Sequence, residues 1–468
     1  MPPKFGTSGL RGLVTDLTDD LVHAHVRAFL AACPHGGAVH VGRDLRDSSP
    51  RSAATVSAAI RGAGLLAVDC GAVPTPALAM SAMARGHAAV MVTGSHIPAD
   101  RNGLKFYLPS GEIAKTDEAA ILAALNEGGA PDAATEGALE RDADCAARYV
   151  ARYRDGFGPQ ALSGLRIGVY EHSSVARDTL AEIVAALGGE VVRIARSDSF
   201  IPVDTEAVDP ETRQRLADWT AEHRLDAIVS TDGDADRPMV TDARGALVPG
   251  DVLGPLTAQL LGARIVVSPV SSNTLVEAME GFEVRRSRIG SPFVIAGMEE
   301  ALAEDSAAQV VGYEANGGFL LGFEARGPEG AIAPLMTRDA VLPIVAPLAA
   351  TRAKRCGLEE LAAQLPPRFT AADRVQEIPS DRSMALIEAL RASADERAAF
   401  FDTGSDEAGI DETDGLRIGF ANGEVVHLRP SGNAPECRLY TEADSAERAR
   451  ALLEAHMNRL AERLGARA

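Results

Sequence analysis

The sequence predicts an α/β protein: three related α/β units with mixed, largely parallel sheets, then a C-terminal α+β unit. Three observations carry this expectation. A pattern of strand, paired serines, helix, glycine and strand occurs three times. The stretch after Pro366-Pro367 abandons that pattern. And 468 residues are more than a single hydrophobic core accommodates.

The first copy runs from strand Val39–Gly42 through Ser48-Ser49-Pro50 into a helix ending near Arg61. Ser49 is read as its N-cap and Pro50 as its first residue. Gly62-Ala63-Gly64 closes the helix and Leu65–Val68 is the next strand. The second copy is Leu165–Tyr170, Ser173-Ser174, a helix to Leu187, Gly188-Gly189 and Glu190–Ile194. The third is Arg264–Val267, Ser271-Ser272, a helix to about Met279, Gly281 and Phe282–Arg285. Beyond the prolines, strand Arg374–Ile378 and helix Ser380–Arg391 precede a hairpin. Its strands Leu416–Phe420 and Val425–Leu428 flank the turn Ala421-Asn422-Gly423. A long amphipathic helix from Ser445 ends the chain. The expected units are 1–150, 151–250, 251–366 and 367–468.

The formal charge of -20 argues against a nucleic-acid partner, because there is no basic field to displace counterions. An anionic substrate must then be captured by local cations. Five scattered cysteines without a C-x-x-C pair read as reduced thiols. No apolar run of about 18 residues predicts a membrane span. The N-terminus also lacks the apolar core of a signal peptide, so a cytoplasmic protein is expected.

Six stretches bear chemistry. The opening Gly6-Thr7-Ser8-Gly9-Leu10-Arg11-Gly12 suits close approach to an anion, or a flexible arm. Apolar Ala88–Val92 leads into Thr93-Gly94-Ser95-His96-Ile97-Pro98, which sets a serine hydroxyl at a strand end; these are also the residues of an ordinary polar turn. Lys105, expected to return through a tight Asn102-Gly103 turn, can act as acid, base or phosphate clamp, or lie on the surface. Strand Leu225–Val229 leads into Asp232-Gly233-Asp234-Ala235-Asp236-Arg237. Carboxylates at alternate positions repel one another unless a cation sits among them. A calcium EF-hand would place Gly at Arg237 and Glu at Ala243, so magnesium fits better. Glu314 and Asn316, on the glycine-rich loop after Ala308–Val311, can grip adjacent sugar hydroxyls. Arg429, Ser431, Gly432 and Asn433 can form a phosphate cradle or a plain loop.

In this order, and over essentially the whole chain, these loops resemble the α-D-phosphohexomutase superfamily. The form Gly312-Tyr313-Glu314-Ala315-Asn316-Gly317-Gly318 resembles that of bacterial phosphomannomutases. The resemblance implies four domains around a central cleft. It implies conversion of hexose 1-phosphate to hexose 6-phosphate through phospho-Ser95, with a hexose 1,6-bisphosphate as activator and intermediate. It further implies that Asp232, Asp234 and Asp236 bind Mg2+ with an oxygen of phospho-Ser95. Arg11, His96, Lys105 and Arg237 would surround the reaction, with Lys105 a candidate proton shuttle. Glu314 and Asn316 would hold the sugar; Arg429, Ser431, Gly432 and Asn433 would hold the idle phosphate. The expected partner is a phosphosugar, with neither nucleic acid nor membrane, bound by a monomer or homodimer.

Gly94 and Ile97 stand where the superfamily commonly has Ala and Asn, and Asn316 where it has Ser. Ile289-Gly290-Ser291-Pro292 lacks a lysine that some members place just after it; Arg285, Arg286 or Arg288 is expected to substitute. These departures bear on the sugar, with mannose expected first, glucose next and glucosamine third. The rivals are an aspartyl-phosphate phosphatase using the Asp232 loop and a non-catalytic phosphosugar-binding protein.

Overall fold

Strands that are apolar on both faces need cover on both sides, and the chain supplies it by alternating strand and helix. The computed structural model describes residues 3–6, 9–430 and 435–465. In the first unit Ala38–Arg43 lies parallel to both Leu66–Ala72 and Ala88–Val92, and Arg101–Leu108 pairs antiparallel with the latter. In the second, Arg166–His172 is flanked in parallel by Glu190–Arg196 and Ala227–Thr231, with Pro238–Val240 antiparallel to the last. The third repeats this with Ile265–Pro269, Glu283–Ser287, Val310–Tyr313 and Phe319–Leu321. The turn from the third to the fourth strand is therefore equivalent in all three. Those turns carry Ser95, the three aspartates and Glu314.

Ala88–Val92 shows how the core forms. All five residues are buried. Val90 and Val92 face Val26, Phe29 and Ile60 on one side of the sheet. Ala89 and Met91 face a larger cluster that also holds Val169 and Tyr313, so the first three units share packing. The fourth unit is an antiparallel sheet in the order Phe369–Gln376, Glu436–Ala443, Val425–Pro430, Leu416–Phe420, Glu407–Asp411. Its strands Glu407–Asp411 and Glu436–Ala443, and its helix Ala394–Phe400, add to the elements expected. No described helix is long and apolar enough to cross a membrane.

Three local expectations need correction. The third copy has no helix after Ser271-Ser272, only a single 3-10 turn at Val276–Ala278. In its place the loop is tied down from outside: Asn273 N donates to Asp251 at 3.0 Å and Thr274 N to Glu442 at 3.1 Å. Ser49 does not cap its helix; its hydroxyl donates to Asp44 Oδ1 at 2.5 Å. And Asn102-Gly103 is no turn but lies within the strand Arg101–Leu108. Its Asn102 amide reaches the hydroxyls of Ser48 and Ser49 at 2.8 and 3.0 Å.

Glu442 thus joins the third and fourth units while being 3% exposed. Glu442→Ala should cost about 1–3 kcal/mol, because it leaves buried donors unpaired. Hydrogen exchange should show faster exchange at Thr274–Ala278 with little change at Val90.

Candidate active site

The serine loop is held from beneath by a buried ion pair. Asp44 and Arg46 follow the strand Ala38–Arg43, and both side chains are at most 1% exposed. Asp44 Oδ2 accepts from Thr93 Oγ1 at 2.8 Å and Arg46 Nε at 3.2 Å. The Arg46 guanidinium then donates to four carbonyls of the loop: Ser95 and Arg101 at 2.9 Å, Pro98 at 2.7 Å and Ile97 at 2.6 Å. A Cβ on Gly94 would lie 2.6 Å from Arg46 Cζ, which explains glycine there. So fastened, Ser95 adopts φ 53°, a left-handed conformation that a non-glycine residue keeps only under such restraint.

Ser95 Oγ donates to Asp232 Oδ2 at 2.6 Å and lies 3.3 Å from His96 Nδ1. The second unit's aspartate loop comes this near because Gly233 lacks a side chain; its Cβ would meet the Ser95 carbonyl at 2.7 Å. Asp232, Asp234 and Asp236 are each at most 1% exposed, and each offers an oxygen within 4.8 Å of the others. Lys105 is carried in by strand pairing opposite Met91. Its ammonium contacts Asp234 Oδ2 at 2.6 Å and Asp236 Oδ2 at 2.5 Å, so it meets the aspartates rather than Ser95.

Burial, reinforced by Asp234 and Asp236, raises the Asp232 carboxyl well above the usual carboxylate range. Burial also acts to raise Asp236, but Arg338 and Lys105 outweigh it and hold that carboxyl low. For Lys105 burial favours the neutral amine, yet Asp234 and Asp236 prevail and keep the ammonium. His96 is pushed down to about 2 by burial and by Arg237 and Arg11, so it is a neutral imidazole. Arg11 is lowered to about 10 by burial and by the neighbouring Arg237. Two oxygens, Asp234 Oδ1 and Asp236 Oδ1, are buried without a hydrogen-bond partner among the described residues. With carboxylates clustered around them, they are suitable ligands for a hard divalent cation.

Arg338, on strand Leu335–Asp339, escaped the sequence analysis. Its guanidinium reaches Asp236 Oδ2 at 2.7 Å and Glu314 Oε2 at 3.3 Å, joining the metal-type loop to the sugar-type loop. Asn316 folds back onto its own turn, accepting from Gly318 N at 2.9 Å. Arg237 flanks the aspartates, its Nε 3.9 Å from Asp236 Oδ1. Arg288 stays outside this group, exposed with its guanidinium 4.8 Å over the Phe293 ring. Arg285 is engaged by Glu283 and Glu304, and Arg286 by Glu277. In the fourth unit, Arg429 donates to Asp414 at 3.0 Å, and Asp414 accepts from Ile289 N in the third. Ser431, Gly432 and Asn433 lie outside the described residues.

Family models described as phosphoglucomutase/phosphomannomutase alpha/beta/alpha domains I, II and III match residues 2–131, 147–245 and 249–369. The model of the C-terminal domain matches residues 374–459. The chain belongs to the phosphoglucomutase/phosphomannomutase family. It is 46% identical to a phosphomannomutase of Sinorhizobium fredii over 97% of this chain and 98% of that protein. It is 41% identical to a phosphomannomutase of Salmonella muenchen, over 99% and 96%. In three dimensions it resembles a phosphoglucomutase/phosphomannomutase family protein of Burkholderia thailandensis. That match has a TM-score of 0.78 at 22% identity, covering 98% and 96% of the two chains. Membership in this family makes the chain an enzyme, a phosphohexomutase.

Within this family member, Asp44, Arg46 and Arg338 are the site residues that sequence analysis missed. The one available signal for Arg338 was charge: Arg338-Asp339 interrupts an otherwise apolar approach to the helix Leu342–Lys354. Asp44→Ala should destabilise the protein by about 3–5 kcal/mol, the cost of stranding a buried partner charge. A denaturant melt checks this, and amide exchange should quicken first at Gly94–Ile97.

Proposed function

We propose that Ser95 is the phosphoryl carrier of a mutase acting on hexose 1- and 6-phosphates, with mannose phosphate preferred and glucose phosphate next. The observation that carries this reading is the 2.6 Å contact between Ser95 Oγ and Asp232, inside a ring of three buried aspartates. Each of the units 1–150, 151–250, 251–366 and 367–468 brings one loop to the reaction: phosphoserine, metal, sugar and phosphate. The preference for mannose rests on the names of the two relatives.

Phospho-Ser95 gives its phosphoryl group to the free hydroxyl of a hexose monophosphate. This frees the serine and forms a hexose 1,6-bisphosphate. The bisphosphate turns end for end, and Ser95 Oγ takes the other phosphoryl group. Asp232 accepts the hydrogen bond of the free serine and orients it. Transfer also moves a proton: the attacking sugar hydroxyl gives one up and Ser95 Oγ takes one, with Lys105 the candidate shuttle. Lys105, its ammonium against Asp234 and Asp236, suits both expected roles, phosphate clamp and proton shuttle. His96 is an uncharged hydrogen-bond partner of Ser95 Oγ. Arg11 and Arg237 add positive charge, which suits a reaction governed by positioning and charge stabilisation. Asp232, Asp234 and Asp236 would hold Mg2+, which when bound supplies positive charge to the phosphoryl oxygens. Glu314 and Asn316 hold the sugar in either orientation. Arg429, with Ser431, Gly432 and Asn433, holds the phosphate that is not reacting.

Ser95→Ala should abolish turnover while still melting cooperatively, losing about 1–3 kcal/mol from the unpaired Asp232. Intact-protein mass should show a phosphate adduct on wild type only; an adduct persisting in Ser95→Ala would move the carrier elsewhere. A coupled assay across mannose, glucose and glucosamine 1-phosphates ranks the sugars, and a clear glucosamine preference would overturn the choice of mannose.

Prolonged chelation should abolish turnover and added Mg2+ restore it. A chelated enzyme at full rate would remove the metal from the reaction.

A further inference from the structure

On the first sheet, one strand away from the serine loop's own strand, lies a second group of ligand-type side chains. His40 on Ala38–Arg43 and Cys70 on Leu66–Ala72 point to the same face, and Asp142 follows the edge strand Leu139–Arg141. The three are 0%, 7% and 7% exposed. Each offers a ligand atom, and all of these lie within 4.8 Å of one another. None is used by the reaction proposed above.

We propose that His40, Cys70 and Asp142, with the neighbouring Cys145 turning in as the fourth ligand, form a site for a thiophilic divalent cation of the zinc class. His40 Nδ1 and Cys70 Sγ are 3.6 Å apart. A tetrahedral ion with bonds of about 2.0 Å to nitrogen and about 2.3 Å to sulfur separates two such ligands by about 3.6 Å. The other His40 nitrogen, Nε2, is 3.3 Å from His87 Nδ1. That contact fixes the ring and leaves Nδ1 for the ion, the usual support for a metal-bound imidazole. Cys145, fully buried at the start of the helix Cys145–Phe157, donates from Sγ to the Ala77 carbonyl at 3.4 Å, a bond it would give up as a ligand.

The neighbouring charges select the ion. Asp142 Oδ2 is already paired with Arg85 at 3.4 Å and with Arg148 and Ser81. Among the described residues its Oδ1 accepts only from Asp144 N, at 3.2 Å, which leaves a lone pair. Since the two guanidinium groups offset the carboxylate, thiolates must supply the compensating negative charge. That excludes magnesium and favours an ion that binds sulfur. Binding replaces the thiol protons of Cys70 and Cys145 with metal–sulfur bonds and releases those protons to solvent. The ion would tie two strands of the sheet to the helix that packs against the second unit.

Titration of the reduced, metal-free full-length protein with Co2+ in saturating Mg2+ tests this. Carboxylates of the aspartate loop give no sulfur-to-cobalt charge transfer, so the two sites are told apart spectroscopically. Wild type should develop that near-ultraviolet band with tetrahedral ligand-field bands, and Zn2+ should abolish both. Cys70→Ser and Cys70→Ala should lose the bands, with metal-free melting near wild type checking the fold, and Cys356→Ser should keep them. The absence of a sulfur band in wild type at excess Co2+ would overturn the proposal, whether or not the variants fold. So would a band that survives in Cys70→Ser.

Discussion

Three carboxylates in a nearly dry pocket are the constraint on which this structure turns. Two unit charges at the 4.8 Å limit of the aspartate group repel by about 3–4 kcal/mol at an effective dielectric of about 20. Were all three ionised, the three pairs together would be comparable with the whole net stability of a domain, about 5–15 kcal/mol. Cations must therefore be supplied. The chain draws them from different units: Lys105 from the first and Arg338 from the third, both closing on the second unit's loop. The same contacts that neutralise the aspartates thus hold three units in register around them.

The repeated fold explains why this convergence is possible. In each of the first three units the reactive side chains sit on the turn between a buried parallel strand and its antiparallel neighbour. One geometry is used for three chemistries: a hydroxyl, a carboxylate group and a sugar-type carboxylate with an amide. Each turn needs its own support. Arg46 braces the serine loop, Gly233 admits the aspartate loop to it, and Arg338 anchors Glu314.

Much of this was legible in the sequence. Ser95, the three aspartates, Glu314 and Arg429 each follow an apolar run, so both their loops and their order could be read. The repeat was legible for the same reason, since buried parallel strands are apolar throughout. What could not be read depends on partners distant in sequence. Arg46 acts on carbonyls 49–55 residues away, and Arg338 on Asp236 in another unit. Where the third copy lacks its helix, the loop is held instead by Asp251 and Glu442, neither adjacent. The route of Lys105 was misread because Asn102-Gly103 is a turn signal locally, whereas strand pairing and the Ser48 and Ser49 hydroxyls hold it extended.

The central claim is that the group on Ser95 passes to sugar and not to water. Single-turnover transfer from isolated, radiolabelled phosphoenzyme measures this directly. Mixed with unlabelled hexose 1-phosphate and Mg2+ and then quenched, the enzyme should lose its label at the rate at which labelled hexose bisphosphate and monophosphate appear. Label released chiefly as inorganic phosphate, or retained on the protein through many turnovers, would contradict it.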